Sequence, residues 1–68
     1  MPEGRVNWFN ADAGYGYITP DDGTEDVVVH WSVIRTDGAP TLQAGQRVSY
    51  EVGRAKPVPQ AIAVVPLP

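Results

Sequence analysis

Seven glycines and seven prolines, spread through 68 residues, cut this chain into runs that favour strands over helices. The apolar residues between these breaks are short and largely β-branched. Arg5–Asn10 reads as a first strand, and Asn10-Ala11-Asp12-Ala13-Gly14 as a turn closed by its own polar side chains. Tyr15–Thr19 is a second strand, stopped by Pro20 and the acidic turn that follows. Asp26–His30 is a third, and Trp31–Ile34 fits a single helical or 3₁₀ turn. Arg35–Gly45 is a long loop. Gln46–Val52 alternates polar and apolar with period two, the mark of a half-buried strand, and Gln60–Val65 makes a fifth after the Gly53–Pro59 loop. Five short strands predict an all-β fold, a small antiparallel barrel, because an open sheet of this size leaves its edges unprotected.

The whole chain, 1–68, is expected to be one domain, since so few residues bury only about 60% of the surface exposed on unfolding. With no cysteine, neither disulfides nor a thiolate zinc site staples it. No stretch has the length of a membrane span, and Met1–Arg5 lacks the basic and apolar parts of an export signal. A cytoplasmic monomer with no membrane contact is the expectation. Five basic against eight acidic residues give a net charge of −3. Bulk charge therefore excludes a binder driven by phosphate attraction.

Alternation assigns the faces. If Ile18, Val27, Val29, Val48, Tyr50, Val52, Ile62 and Val64 point inward, then Tyr15, Tyr17, Val28 and His30 point outward. With Trp8 on a neighbouring strand this makes an exposed aromatic strip. The competing reading packs the tyrosines into the core, but the valine-rich strands already supply enough inward side chains. Exposed aromatics on a small barrel suit unpaired bases, since every base has a π-face and each stack is worth about 1–3 kcal/mol. His30 beside Trp31 extends the strip.

Catalysis has little footing. There is no cysteine, the single histidine has no evident Ser/Asp partner spacing, and no phosphate-binding glycine loop occurs. The acidic run Asp21, Asp22, Glu25, Asp26 lacks the ligand period of a calcium loop. No enzymatic activity, metal or cofactor is expected.

Gly4-Arg5-Val6-Asn7-Trp8-Phe9-Asn10, Gly14-Tyr15-Gly16-Tyr17-Ile18 and Asp26-Val27-Val28-Val29-His30-Trp31-Ser32 together resemble the bacterial cold-shock protein family. Leu42, Gly45-Gln46, Val48, Tyr50-Glu51 and Pro59-Gln60-Ala61 continue in family order. The resemblance implies a five-stranded OB-type barrel that binds single-stranded RNA or DNA, as an RNA chaperone or cold-responsive regulator. It places the binding face on Trp8, Asn10, Tyr15, Tyr17, Val28, His30 and Trp31. Lys56, Arg54 and Arg5 are the cations available to support it.

The departures fall on that same face. The family usually has lysine where Asn7 and Ala13 stand, phenylalanine at Val28 and often at Ala39, and a basic residue and glycine where Pro57 and Val58 occur. The expected consequence is weaker binding, dominated by stacking and only shallowly dependent on salt. The alternative is a barrel whose surface has turned to protein binding or regulation, with little affinity for nucleic acid.

Overall fold

The structure, a computed structural model, describes residues 1–53 and 58–68. Among these, the chain forms β1 (Glu3–Asn10), β2 (Tyr15–Pro20), β3 (Val27–His30), β4 (Arg47–Val52) and β5 (Ala61–Pro66), with a 3₁₀ turn at Trp31–Val33. The strands pair antiparallel in the order β3-β2-β1-β4-β5.

Local chemistry sets the first hairpin. The Asn10 side-chain oxygen accepts the N–H groups of Asp12 and Ala13 at 2.9 and 3.0 Å. Gly14 donates its N–H to the Asn10 carbonyl at 2.7 Å and takes a φ of +82°, which glycine adopts at no steric cost.

The sheet then curls onto itself. Val28 donates its N–H to the Pro59 carbonyl at 3.0 Å, and Arg35 donates to Val64 at 2.8 Å. Parallel bridges join Val28 to Gln60 and Ile34 to Val64. These bonds bring the β3 edge against β5, so the sheet becomes a nearly closed barrel with few free strand edges. The expected small five-stranded antiparallel OB-fold barrel is the fold of this chain.

Its core holds Val6, Ile18, Val27, Val29, Val48, Tyr50 and Val64, with Ile34 and the loop residue Leu42 closing the ends. Six of the expected inward residues are among them, but Val52 and Ile62 are not. They are 43% and 55% exposed. The β4–β5 ladder pairs Glu51 with Ala63 but Val52 with Ala61, so Ile62 is an extra residue pushed out of register. Val52, at the end of β4, leaves the core at the same slip, and Ala61 takes the inward place.

A second slip lies in β1. Val6 pairs with Ile18 and Trp8 with Tyr17, which leaves Asn7 unpaired. Val6 and Trp8 are two residues apart and would share a face in a regular strand. The bulge turns Trp8 outward while Val6 stays buried.

Candidate nucleic-acid interface

The pairing of β1, β2 and β3 lays the outward side chains in rungs. Asn10 pairs with Tyr15, and Tyr15 with His30; Trp8 pairs with Tyr17, and Tyr17 with Val28. Between these rungs lies an inward one, Phe9–Gly16–Val29. Six of the eight expected site residues thus form two neighbouring rungs on one face. Trp31 follows His30 directly and continues the face. Lys56, and Arg54 beside it, lie outside the described residues.

Glycine brings these rings close together. A side chain at Gly16 would strike the Trp8 carbonyl and the Phe9 backbone, so the bare position lets β2 press against β1. The Trp8 ring centroid then sits 5.3 Å from Tyr15, edge-on at 71°, and 5.4 Å from Tyr17 at 56°. Such contacts are worth about 0.5–1.5 kcal/mol each and hold the rings in place before any ligand arrives. Trp31 is anchored independently. Its N–H donates to the Gly14 carbonyl at 3.0 Å, and its indole occupies the space that a β-carbon on Gly14 would need.

These rings remain open to solvent: Trp8 is 38% exposed, Tyr15 40% and Trp31 50%. Tyr17 and Val28 are half-buried, and His30 is exposed. Asn10 differs from the rest, because its side-chain oxygen is already committed to the turn. An apolar hollow lined by Ala11, Trp31, Ala39, Pro40 and Thr41 adjoins the Trp31 end.

Charge divides the face lengthwise. The Tyr15–His30 end lies at one end of the β2–β3 hairpin, and the acidic turn from Asp21 to Asp26 at the other. Part of that acidity is neutralised locally. Arg47 holds Glu3 and Asp21, each at 3.0 Å. The Asp22 carboxyl accepts the Thr24 hydroxyl at 2.6 Å and its N–H at 3.0 Å, and these bonds hold it below the usual aspartate range. Asn7 reaches over β2 and donates to Asp26 at 3.2 Å. Arg5 pairs with Thr19, two places along β2 from Tyr17, and is exposed.

The sequence reading missed Ser32. Its hydroxyl lies 2.7 Å from His30 Nδ1, and its N–H donates to the same nitrogen at 3.3 Å. A serine two residues after a histidine at a strand end is the available signal, since short hydroxyl side chains bond locally at turns.

Comparison with known proteins agrees with this geometry. The family model of the 'Cold-shock' DNA-binding domain matches residues 2–67. Cold shock protein 1 of Lactiplantibacillus plantarum is 53% identical over 66 residues, covering 97% of this chain and 98% of the relative. Probable cold shock protein A of Mycolicibacterium smegmatis is 48% identical over 64 residues, covering 94% and 96%. The cold shock-like protein CspE of Escherichia coli is 48% identical over 65 residues, covering 96% and 94%. The chain therefore belongs to the cold-shock domain family, and its function is single-stranded nucleic-acid binding of that type.

Proposed function

We propose that single-stranded RNA or DNA runs over the outer face of β1, β2 and β3, with bases stacked on Trp8, Tyr15 and Tyr17 and on His30 and Trp31 beyond them. The observation that carries this reading is the pair of outward rungs Asn10–Tyr15–His30 and Trp8–Tyr17–Val28. Stacking supplies the affinity and charge adds little, because the two neighbouring positions Asn7 and Ala13 are neutral and the chain carries −3. Asn10 supports the face through the turn it closes, and Val28 provides apolar contact where a ring would stack. Lys56 is assigned a phosphate contact.

Binding of this weak, sequence-tolerant kind suits an RNA chaperone or regulator, which must release its strands. A monomer in the cytoplasm, acting by binding rather than by catalysis, is the reading we favour. The nearly closed barrel supports the monomer, because among the described residues the bridges between β3 and β5 cover much of the edge that a second copy would need.

Titration of the intrinsic tryptophan fluorescence with a short oligo-pyrimidine tests it. Quenching that saturates in wild type and disappears in the Trp8→Ala Tyr17→Ala double variant supports stacking on this face. No quenching at high micromolar oligonucleotide points instead to a protein-binding role.

A further inference from the structure

We propose that Asp37–Gly38 is a self-modifying site, at which aspartate converts to isoaspartate through a cyclic succinimide. The same dipeptide at Asp22–Gly23 is protected by its turn. The site lies in the Arg35–Gly45 loop, outside the stacking face, and reacts whether or not a strand is bound.

Asp-Gly favours this chemistry because glycine sets no side chain beside the attacking nitrogen and leaves the backbone free to turn. The chain contains the dipeptide twice. All four residues are exposed, so access to water does not separate the two sites. Their hydrogen bonds do.

At Asp22 both reacting groups are held. Its Oδ1 accepts the Thr24 hydroxyl at 2.6 Å and the Thr24 N–H at 3.0 Å. These bonds favour the ionised carboxyl, whereas the neutral form is the one that gives up its hydroxyl. The Gly23 nitrogen is occupied as well, since its N–H donates to the Pro20 carbonyl at 3.2 Å, at the buried end of β2. The Asp21 N–H donates to the Glu3 carbonyl at 3.0 Å, which ties the same turn to β1.

Asp37 lacks these restraints. Among the described residues, its carboxyl has no hydrogen-bond or ion-pair partner. The Gly38 N–H donates to the Thr36 hydroxyl at 3.4 Å, beyond the usual range for such a bond. No backbone-to-backbone bond among the described residues involves Thr36, Asp37 or Gly38. A β-carbon on Gly38 would meet nothing within 4 Å, so the space beside the attacking nitrogen is open.

The reaction balances without a co-reactant. The Gly38 nitrogen bonds to the Asp37 Cγ, and the carboxyl hydroxyl leaves with the amide proton as water. Water then opens the ring at either carbonyl. Addition at Cγ restores aspartate. Addition at the main-chain carbonyl breaks its bond to nitrogen and leaves the chain running through Cγ. The charge is unchanged, but the backbone gains a methylene directly before Ala39, Pro40 and Thr41, which line the hollow beside Trp31.

Incubation of the folded chain in heavy-oxygen water at pH 7.4 and 37 °C, followed by peptide mapping, tests the proposal. Each ring opening leaves a heavy oxygen in the peptide, and a protease that cleaves before aspartate but not isoaspartate separates the isomers. Label should accumulate about three- to tenfold faster at Asp37 than at Asp22, the factor set by one hydrogen bond that must first break. In guanidinium chloride the two sites should label alike. Gly38→Val, which the open space accommodates, should strongly slow labelling at Asp37, and Thr24→Val should speed it at Asp22. Absence of label at Asp37 overturns the site. Equal labelling in the folded chain, or a difference that persists in guanidinium chloride, overturns protection by the turn.

Discussion

Trp8 stands directly across from Tyr17 on the β1–β2 ladder, with the two rings 5.4 Å apart and tilted by 56°. Each ring limits the positions open to the other, so the two platforms are not independent. Trp8→Ala and Tyr17→Ala should each weaken oligo-pyrimidine binding by about 5- to 150-fold, the equivalent of one stack. The double variant should lose less than the product of the two, because the first truncation already disorders the second ring. Losses that multiply to within about twofold in a double-mutant cycle of anisotropy titrations would show two separate platforms.

The neutral residues beside the strip make a second expectation. Asn7 and Ala13 are exposed, and neither carries a cation to the phosphates. Asn7→Lys and Ala13→Lys should each strengthen binding and steepen the salt dependence by about 0.7 in log–log slope. Asn7→Lys also breaks the bond to Asp26, so its gain should be the smaller of the two. An unchanged slope in both variants would place the strand away from this end of β1.

How far the sequence discloses this face follows from where strand registry is set. Tyr15, Tyr17, Val28 and His30 point outward as the alternation predicts, because β2 and β3 pair without interruption. Trp8 is different. Its outward direction depends on the unpaired Asn7, and a bulge is decided by both partner strands together rather than by β1 alone. The same cause accounts for Val52 and Ile62, whose apolar character suggested the core while the β4–β5 slip put them outside. Leu42 was hidden in the Arg35–Gly45 loop, where no period exists to mark an inward residue.

Gly16 lies in the inward rung beneath the strip, and its importance is steric. A β-carbon there would overlap the Trp8 carbonyl and lie 2.7 Å from the Phe9 α-carbon. Both are backbone atoms that cannot swing aside. Gly16→Ala should therefore cost about 1–3 kcal/mol in urea unfolding, the usual range for overpacking. It should also separate β1 from β2 enough to lower oligonucleotide affinity. A wild-type midpoint would show that the two strands part without cost.

Arg47 ties β4 to the start of β1 and to the acidic turn through two ion pairs, each at 3.0 Å. All three side chains are substantially exposed, so the pairs are worth at most about 1 kcal/mol together. Arg47→Met keeps the aliphatic stem and removes the charge. It should lower the unfolding midpoint in dilute buffer and match wild type in 1 M salt, where screening reaches about 3 Å. A difference that persists at high salt would assign the effect to packing instead.

Among the described residues, Tyr50 is the one titratable side chain in the core. Burial pushes its phenol above the ordinary tyrosine value of 10.0, and the charges of Asp22 and Asp21 push in the same direction. The folded state therefore holds this proton more tightly than the unfolded chain. Its stabilising effect is complete below about pH 10, where both states are protonated. As the pH rises toward the folded-state value, the unfolded chain ionises first and stability falls. Tyr50→Phe removes the ionisable group but keeps the ring. The variant should lose less stability than wild type between pH 9 and pH 11, measured as the change in urea midpoint with pH. Parallel declines in the two proteins would assign alkaline unfolding to groups other than Tyr50.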